Sequence, residues 1–381
     1  MAHFANDGNF LLFSILIVYF SKLPDVSLAF LGVNAIIYNV LYGAISLPIG
    51  RIADRINRDA ALITLGIGLE AAAASIFGVV FLYPGAYLPL VLLGSVALGA
   101  GQAFYHPLGA TVLSFSYKKD KLGTFLGING GAGSVGRALV PSLITFFIIE
   151  LGTFAGVEVL AVYTWILALA VYFGLRGFRR IYKEPIVKRA KIPTPKEVRS
   201  TLYRVVAPVF VKGAFLMGSV TFVAAYLDHI TGSAELTGVI LTLSFIPAIA
   251  GQPFFGYMTS KKGGKYTISL TSMITLFAFL AFLSTSNIIL LTLLYAIIAF
   301  VLFNGFSVLL DYTYQLVPEK YYSRAYGMVW GVGNILGGAF GVGLMTFFLT
   351  FTTITISMYY MAAVLVVSIL FIPLLPRETN K

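Results

Sequence analysis

The chain has 381 residues, is 59% hydrophobic and 11% charged, and carries a formal net charge of +11, with a mean hydropathy of +0.91. A soluble domain has about 25% charged residues, so this composition excludes one and describes an integral membrane protein whose basic residues set topology rather than bind nucleic acid. There is no cysteine, which excludes disulfides and thiolate metal sites.

Twelve apolar stretches are each long enough to cross a hydrocarbon core of about 30 Å. They are predicted near residues 2–22, 28–50, 59–82, 87–116, 122–149, 155–175, 205–228, 236–259, 266–286, 288–317, 325–349 and 354–375. Residues 1–22 have neither a basic start nor a small-residue cleavage site, so no cleavable signal peptide is expected. The first dense cluster of charge follows the second stretch. Arg51, Asp54, Arg55, Arg58 and Asp59 come directly after Gly50. Hydrocarbon cannot hold that density, so this is a tight loop at a membrane surface. Gly50 lets two helix ends approach, and the Asp and Arg side chains can bond to neighbouring helix ends. A weaker copy runs from Gln252 to Lys265.

Basic residues orient the chain. Of its 26 Lys and Arg, 23 fall in alternate loops and the tail; Lys22 alone is on the opposite side, and Arg137 and Lys212 are inside stretches. The positive-inside rule then puts both termini in the cytoplasm. The longest basic loop, with Pro185, Pro193 and Pro195, is read as a solvated connector. The expected organisation is an all-α membrane protein of twelve transmembrane helices in two six-helix bundles, residues 1–175 and 205–381, joined by a cytoplasmic linker, 176–204.

The halves repeat. The fifth stretch carries Gly123, Gly127, Gly131, Gly133 and Gly136; the eleventh carries Gly327, Gly331, Gly333, Gly337 and Gly338. Such spacing lets helices pack backbone to backbone. Tyr105-His106 in the fourth stretch corresponds to Asp311-Tyr312 in the tenth. Two repeated bundles imply a central path with a site near the midplane.

These residues resemble the major facilitator superfamily. The loop from Gly50 to Arg58 is similar to its loop between the second and third helices, and residues 256–265 to the degenerate copy. A narrower resemblance is to the fosmidomycin-resistance branch of exporters. It rests on His3-Phe4 with Asp7, on Tyr105-His106-Pro107, and on the glycine run that ends at Gly136 and Pro141. Val140 stands where the antiporter motif has glycine, Arg137 where that branch has a small residue, and Ser95 where many facilitators have arginine. The resemblance implies a cavity lined by helices 1, 4, 7 and 10, with 2, 5, 8 and 11 beside them.

Ionisable groups inside lipid are costly unless they face a cavity, so each is a candidate. Arg137 and Lys212 suit a carboxylate or phosphate, or else an ion pair of Lys212 with Asp7 or Asp311 that locks the halves. Asp7 and Asp311 are the candidate proton carriers, with His3 beside Asp7 at i, i+4. His106, Tyr312 and Asn304 are candidate substrate contacts, and Asn34, Asn39, Gln102, Asn129 and Asn334 could add neutral hydrogen bonds. Glu70 is expected at a peripheral helix contact. By depth, Asp7, Lys212, His106 and Asp311 could form one cluster. Gly50, Asp54, Arg55 and Arg58 form the conformational loop. No nucleotide loop, catalytic triad, metal-ligand spacing or cofactor motif is visible, so an enzyme is not expected. The expected function is proton-coupled transport of a small organic, anionic or amphipathic solute by alternating access. Export is the first reading, uptake of an anion with protons the second, and a sensor of the same fold the third. The expected setting is the cell membrane, as a monomer with no nucleic-acid partner.

Overall fold

The computed structural model describes residues 1–117, 119–180, 195–318, 321, 325 and 327–378. Among these residues the chain is helical and has no strand. The described residues form twelve helical rods, numbered here in chain order. Rod α1 is broken: Ala2–Gly8, a 3₁₀ turn at Asn9–Leu11, then Leu12–Phe20. The others are α2 (Leu28–Ile56), α3 (Asp59–Val80), α4 (Tyr87–Ser116), α5 (Lys119–Leu151), α6 (Thr153–Leu175) and α7 (Lys196–Thr231). Then come α8 (Ala234–Phe245 and Ala248–Lys262), α9 (Gly264–Leu283), α10 (Ile288–Leu302 and Gly305–Leu316), α11 (Gly327–Leu336 and Gly337–Leu349) and α12 (Ile354–Leu370). Among the described residues eleven helices are long and apolar enough to cross a membrane; α1 is the rod not counted, and its first turns carry the polar His3, Asn6, Asp7 and Asn9.

Local sequence explains the ends and bends. Ser27, Ser233, Asn287 and Thr353 each accept a backbone N–H at a helix start, which satisfies one of the four free donors there. Asn57 closes α2 in the left-handed region, at φ 48°, a conformation Asn tolerates. In α4, Pro107 has no N–H to give the carbonyl of Ala103; the hydroxyl of Ser46 on α2, which donates to its own Tyr42 carbonyl at 2.7 Å, shares that bond with the Ala103 carbonyl at 3.1 Å. Such repair by a neighbouring side chain is what lets a proline stand in a buried helix.

The first six rods pack among themselves, as do the last six; α2 on α11, α5 on α8 and α1 on α7 join the two groups. The buried core divides accordingly. One large cluster draws on both groups, from Phe13, Phe20 and Phe77 to Phe215, Phe222 and Phe282. Two smaller clusters each belong to one group: Ala5, Ile63, Phe104 and Val171 in the first, Val205, Val308, Tyr312 and Leu375 in the second. The shared cluster lies toward the face where Lys22 pairs with Asp228. The separate clusters lie toward the face that carries both chain ends. The halves thus share one core at one face and keep separate cores at the other.

Candidate functional site

The site begins on the first turns of α1. His3, Asp7 and Phe10, at i, i+4 and i+7, share one face, as the 3.6-residue period requires. The glycines of α5 bring this face close. A Cβ at Gly133 would lie 2.7 Å from Asp7 Oδ2, and one at Gly136 would lie 2.9 Å from the backbone nitrogen of Gly8. A larger residue at Gly136 would push the backbone of α1 away, and one at Gly133 would displace the side chains of His3 and Asp7. Just beyond, at the break, Asn9 donates to Glu70 Oε2 at 2.9 Å.

Asp7 is buried and surrounded by donors. Arg137 of α5 forms an ion pair with its Oδ2 and also donates to Ser134 Oγ at 3.0 Å. His3 Nε2 is 3.1 Å from Oδ2, and His106 Nε2, on α4, is 3.4 Å from Oδ1. Asn6 donates to Oδ1 at 3.1 Å, and Gln102 Nε2 donates to the Asn6 carbonyl at 2.6 Å. Tyr105 stacks its ring 4.8 Å from that of His3 and donates its hydroxyl to Asn129 Oδ1 at 2.7 Å. The guanidinium of Arg137 also lies over the ring of Phe303, 5.5 Å from its centroid. Phe303 is on α10, so this contact crosses between the halves.

These residues wall a cavity with about 1140 Å³ of empty space, part of it open to solvent. Its walls differ. The first half supplies His3, Asp7, Asn39, Gln102, His106 and Arg137; the second supplies chiefly Leu216, Met217, Leu302, Phe303, Trp330 and Ile335. Trp330 and Asn334 project from a π-helical opening of α11, Gly327–Leu336, a widening often found at functional sites.

The model of the Major Facilitator Superfamily matches residues 1–329 and 210–381. The chain belongs to the major facilitator superfamily. It is 25% identical over 352 residues to YfnC of Bacillus subtilis (strain 168), an uncharacterized MFS-type transporter, covering 87% of this chain and 82% of that one. Among solved structures, a bacterial homolog of the human lysosomal transporter Spinster superimposes with a TM-score of 0.74 at 16% identity, over 99% of this chain and 95% of that one. A POT family transporter in complex with 5-aminolevulinic acid gives 0.78 at 12% identity, over 100% and 95%. At such identities the likeness is one of fold. This facilitator is a multi-pass membrane protein with an all-helical transporter fold.

The facilitator fold gathers some of the sequence candidates and separates others. His3, Asp7, His106 and Arg137 meet at one point. Lys212 does not join them: its Nζ donates to Thr271 Oγ1 on α9 at 3.0 Å. Asp311 accepts from Ser260 of α8 at 2.7 Å. Tyr312 donates to the carbonyl of Pro376 at 2.7 Å, and Asn304 to that of Val301 at 2.6 Å. The four-residue cluster expected from depth therefore divides, because depth along a helix does not fix which way a side chain turns. Glu70 is fully buried against α1 and α4 rather than peripheral. In the conformational loop, Arg55 and Arg58 are exposed. Gly50 and Asp54 fall in α2, and their surroundings lie outside the described residues. The sequence reading missed a partner of this loop: buried Arg180, past α6, holds Asp59 through bonds of 2.9 and 2.5 Å. It also missed Asn6, Tyr42, Phe303 and Trp330. Tyr42 had a signal, three residues after Asn39.

Proposed function

We propose that this facilitator is a proton-coupled secondary transporter of a small, amphipathic organic anion. The observation that carries the reading is the Arg137–Asp7 pair on the polar wall of the cavity. An arginine fork suits a carboxylate or phosphate. A solute anion that takes Arg137 deprives Asp7 of its counter-charge. A buried carboxylate without a cation gains affinity for a proton. Anion and proton would then enter the site together, with His3 and His106 as neighbouring proton partners. The apolar wall formed by Leu216, Met217, Phe303 and Trp330 fits the apolar body of such a solute.

Residues 1–175 and 205–381 act as the rocking units, joined by 176–204, and the termini are cytoplasmic. On that topology the face with separate cores is the one that opens to the cytoplasm, and the face with the shared core closes the cavity from outside. Positive coupling under an inward proton gradient drives uptake. Export by exchange, which rests on the likeness to the fosmidomycin-resistance branch, needs solute and proton to compete. That holds for a solute whose cationic group seeks Asp7, and the Arg137–Asp7 pair favours the first case. The protein acts as a monomer in the bilayer. A melting-shift screen of organic acids against the purified protein tests the anion reading. The active acids should lose their shift in Arg137→Gln and bind more tightly at lower pH. Acids that shift the wild type and Arg137→Gln equally would refute it.

A further inference from the structure

When Arg137 leaves Asp7, what remains is a buried carboxylate with an imidazole nitrogen beside each oxygen. His3 Nε2 is 3.1 Å from Oδ2, and His106 Nε2 is 3.4 Å from Oδ1. The donor atoms of all three residues lie within 4.8 Å of one another. They come from α1 and α4, and all three residues line the cavity. We propose that His3, Asp7 and His106 form a site for a divalent transition-metal cation, which takes Asp7 from Arg137. The proposal rests on the reading above only in that Arg137 must be able to leave Asp7.

The geometry is close to what such an ion needs. Zinc binds imidazole nitrogen at about 2.0–2.1 Å and carboxylate oxygen at about 2.0–2.2 Å, so a tetrahedral site holds neighbouring donors about 3.3 Å apart. Each histidine already stands about that far from Asp7, at 3.1 and 3.4 Å, but from a different oxygen, so the carboxylate turns to present one oxygen to both or binds through both. The histidines, whose rings pack edge to face at 5.4 Å, close on the ion by side-chain rotation. Two imidazoles and one carboxylate suit zinc, cobalt or nickel better than calcium or magnesium. Three protein ligands leave a fourth position open to the cavity, for water or a solute oxygen. His3 Nδ1 is buried with no partner among the described residues. Ligating histidines are usually strengthened by a bond to the second nitrogen, so this is a weak site, fit for an ion that comes and goes. Metal and anion would help each other. The metal frees Arg137 for the anion, and the anion frees Asp7 for the metal. A metal ion carried with its organic acid would satisfy both.

The test is a Zn²⁺ titration of the full-length protein in nanodiscs, by calorimetry in a non-chelating buffer. One Zn²⁺ per chain is expected. His3→Ala and His106→Ala should each weaken binding at least tenfold. Arg137→Gln removes the competing cation, so it should tighten Zn²⁺ severalfold while weakening organic anions. No binding to the wild type, wild-type affinity in either histidine variant, or weaker Zn²⁺ binding in Arg137→Gln would overturn the site. The histidine variants keep the test decisive if Arg137→Gln does not fold. Zn²⁺ held through the histidines, with anions indifferent to Arg137→Gln, would keep the site and remove the anion reading. The reverse pattern would remove the site alone.

Discussion

Arg137 of α5 is paired with Asp7 of α1, and both side chains are buried. Breaking a buried pair by removing one partner leaves an uncompensated charge and costs about 3–5 kcal/mol. Removing both costs far less. Asp7→Asn and Arg137→Gln should therefore each lower stability by roughly that amount, and the double variant should recover most of the loss. Denaturation of the four proteins in one detergent checks this. Additive losses would mean that the two charges do not depend on each other.

The glycines of α5 make a sharper local prediction. At Gly136 a Cβ would collide with α1, whereas at Gly131 it would meet nothing within 4 Å. Gly136→Ala should cost about 1–3 kcal/mol through overpacking and loosen the Asp7 cluster. Gly131→Ala should instead gain about 0.5–1 kcal/mol from helix propensity. Melting of the two variants side by side tests the approach of α1 and α5. Equal effects would contradict it.

Lys22 and Asp228 join the halves at the closed face, 3.1 Å apart, with the lysine side chain about half exposed at 54%. An exposed pair of this kind contributes less than about 1 kcal/mol. Lys22→Gln should therefore melt almost normally but open the closed face more often. A cysteine at Leu216, on the cavity wall, should then react faster with an impermeant reagent added outside. An unchanged rate would mean that the packing of α1 on α7, α2 on α11 and α5 on α8 holds that face shut without the ion pair.

Topology is testable because the chain has no cysteine. Cysteines placed at Ser116 and Ser260 should be labelled from the cytoplasmic side only, and one at Ser286 from outside only. Reversal at any of the three would break the orientation argued from basic residues.

Charge within lipid was the most legible signal in the sequence. It drew attention to Asp7, Arg137, His3 and His106, which the structure brings together. The same signal named Lys212 and Asp311, which turn to Thr271 and Ser260. The spans are apolar on all sides, so the pattern carries little information on which face meets the cavity. Gly133 and Gly136 were legible as packing glycines, but not as the seat of His3 and Asp7, since partner helices are not written in spacing. Phe303 and Trp330 were lost among the many aromatic residues. Arg180 was read as linker charge, because its partner Asp59 is distant in sequence.

Coupled entry of proton and anion at the Arg137–Asp7 pair is the central claim. The most direct measurement is transport in proteoliposomes under an imposed pH gradient, with an organic acid selected by the melting screen. Wild type should accumulate the acid and take up protons with it. Asp7→Asn should lose gradient-driven accumulation and its pH dependence, yet still exchange the acid across the membrane. Asp311→Asn, altered away from the cluster, should keep its coupling. Proton-driven accumulation at the wild-type rate in Asp7→Asn would contradict the account.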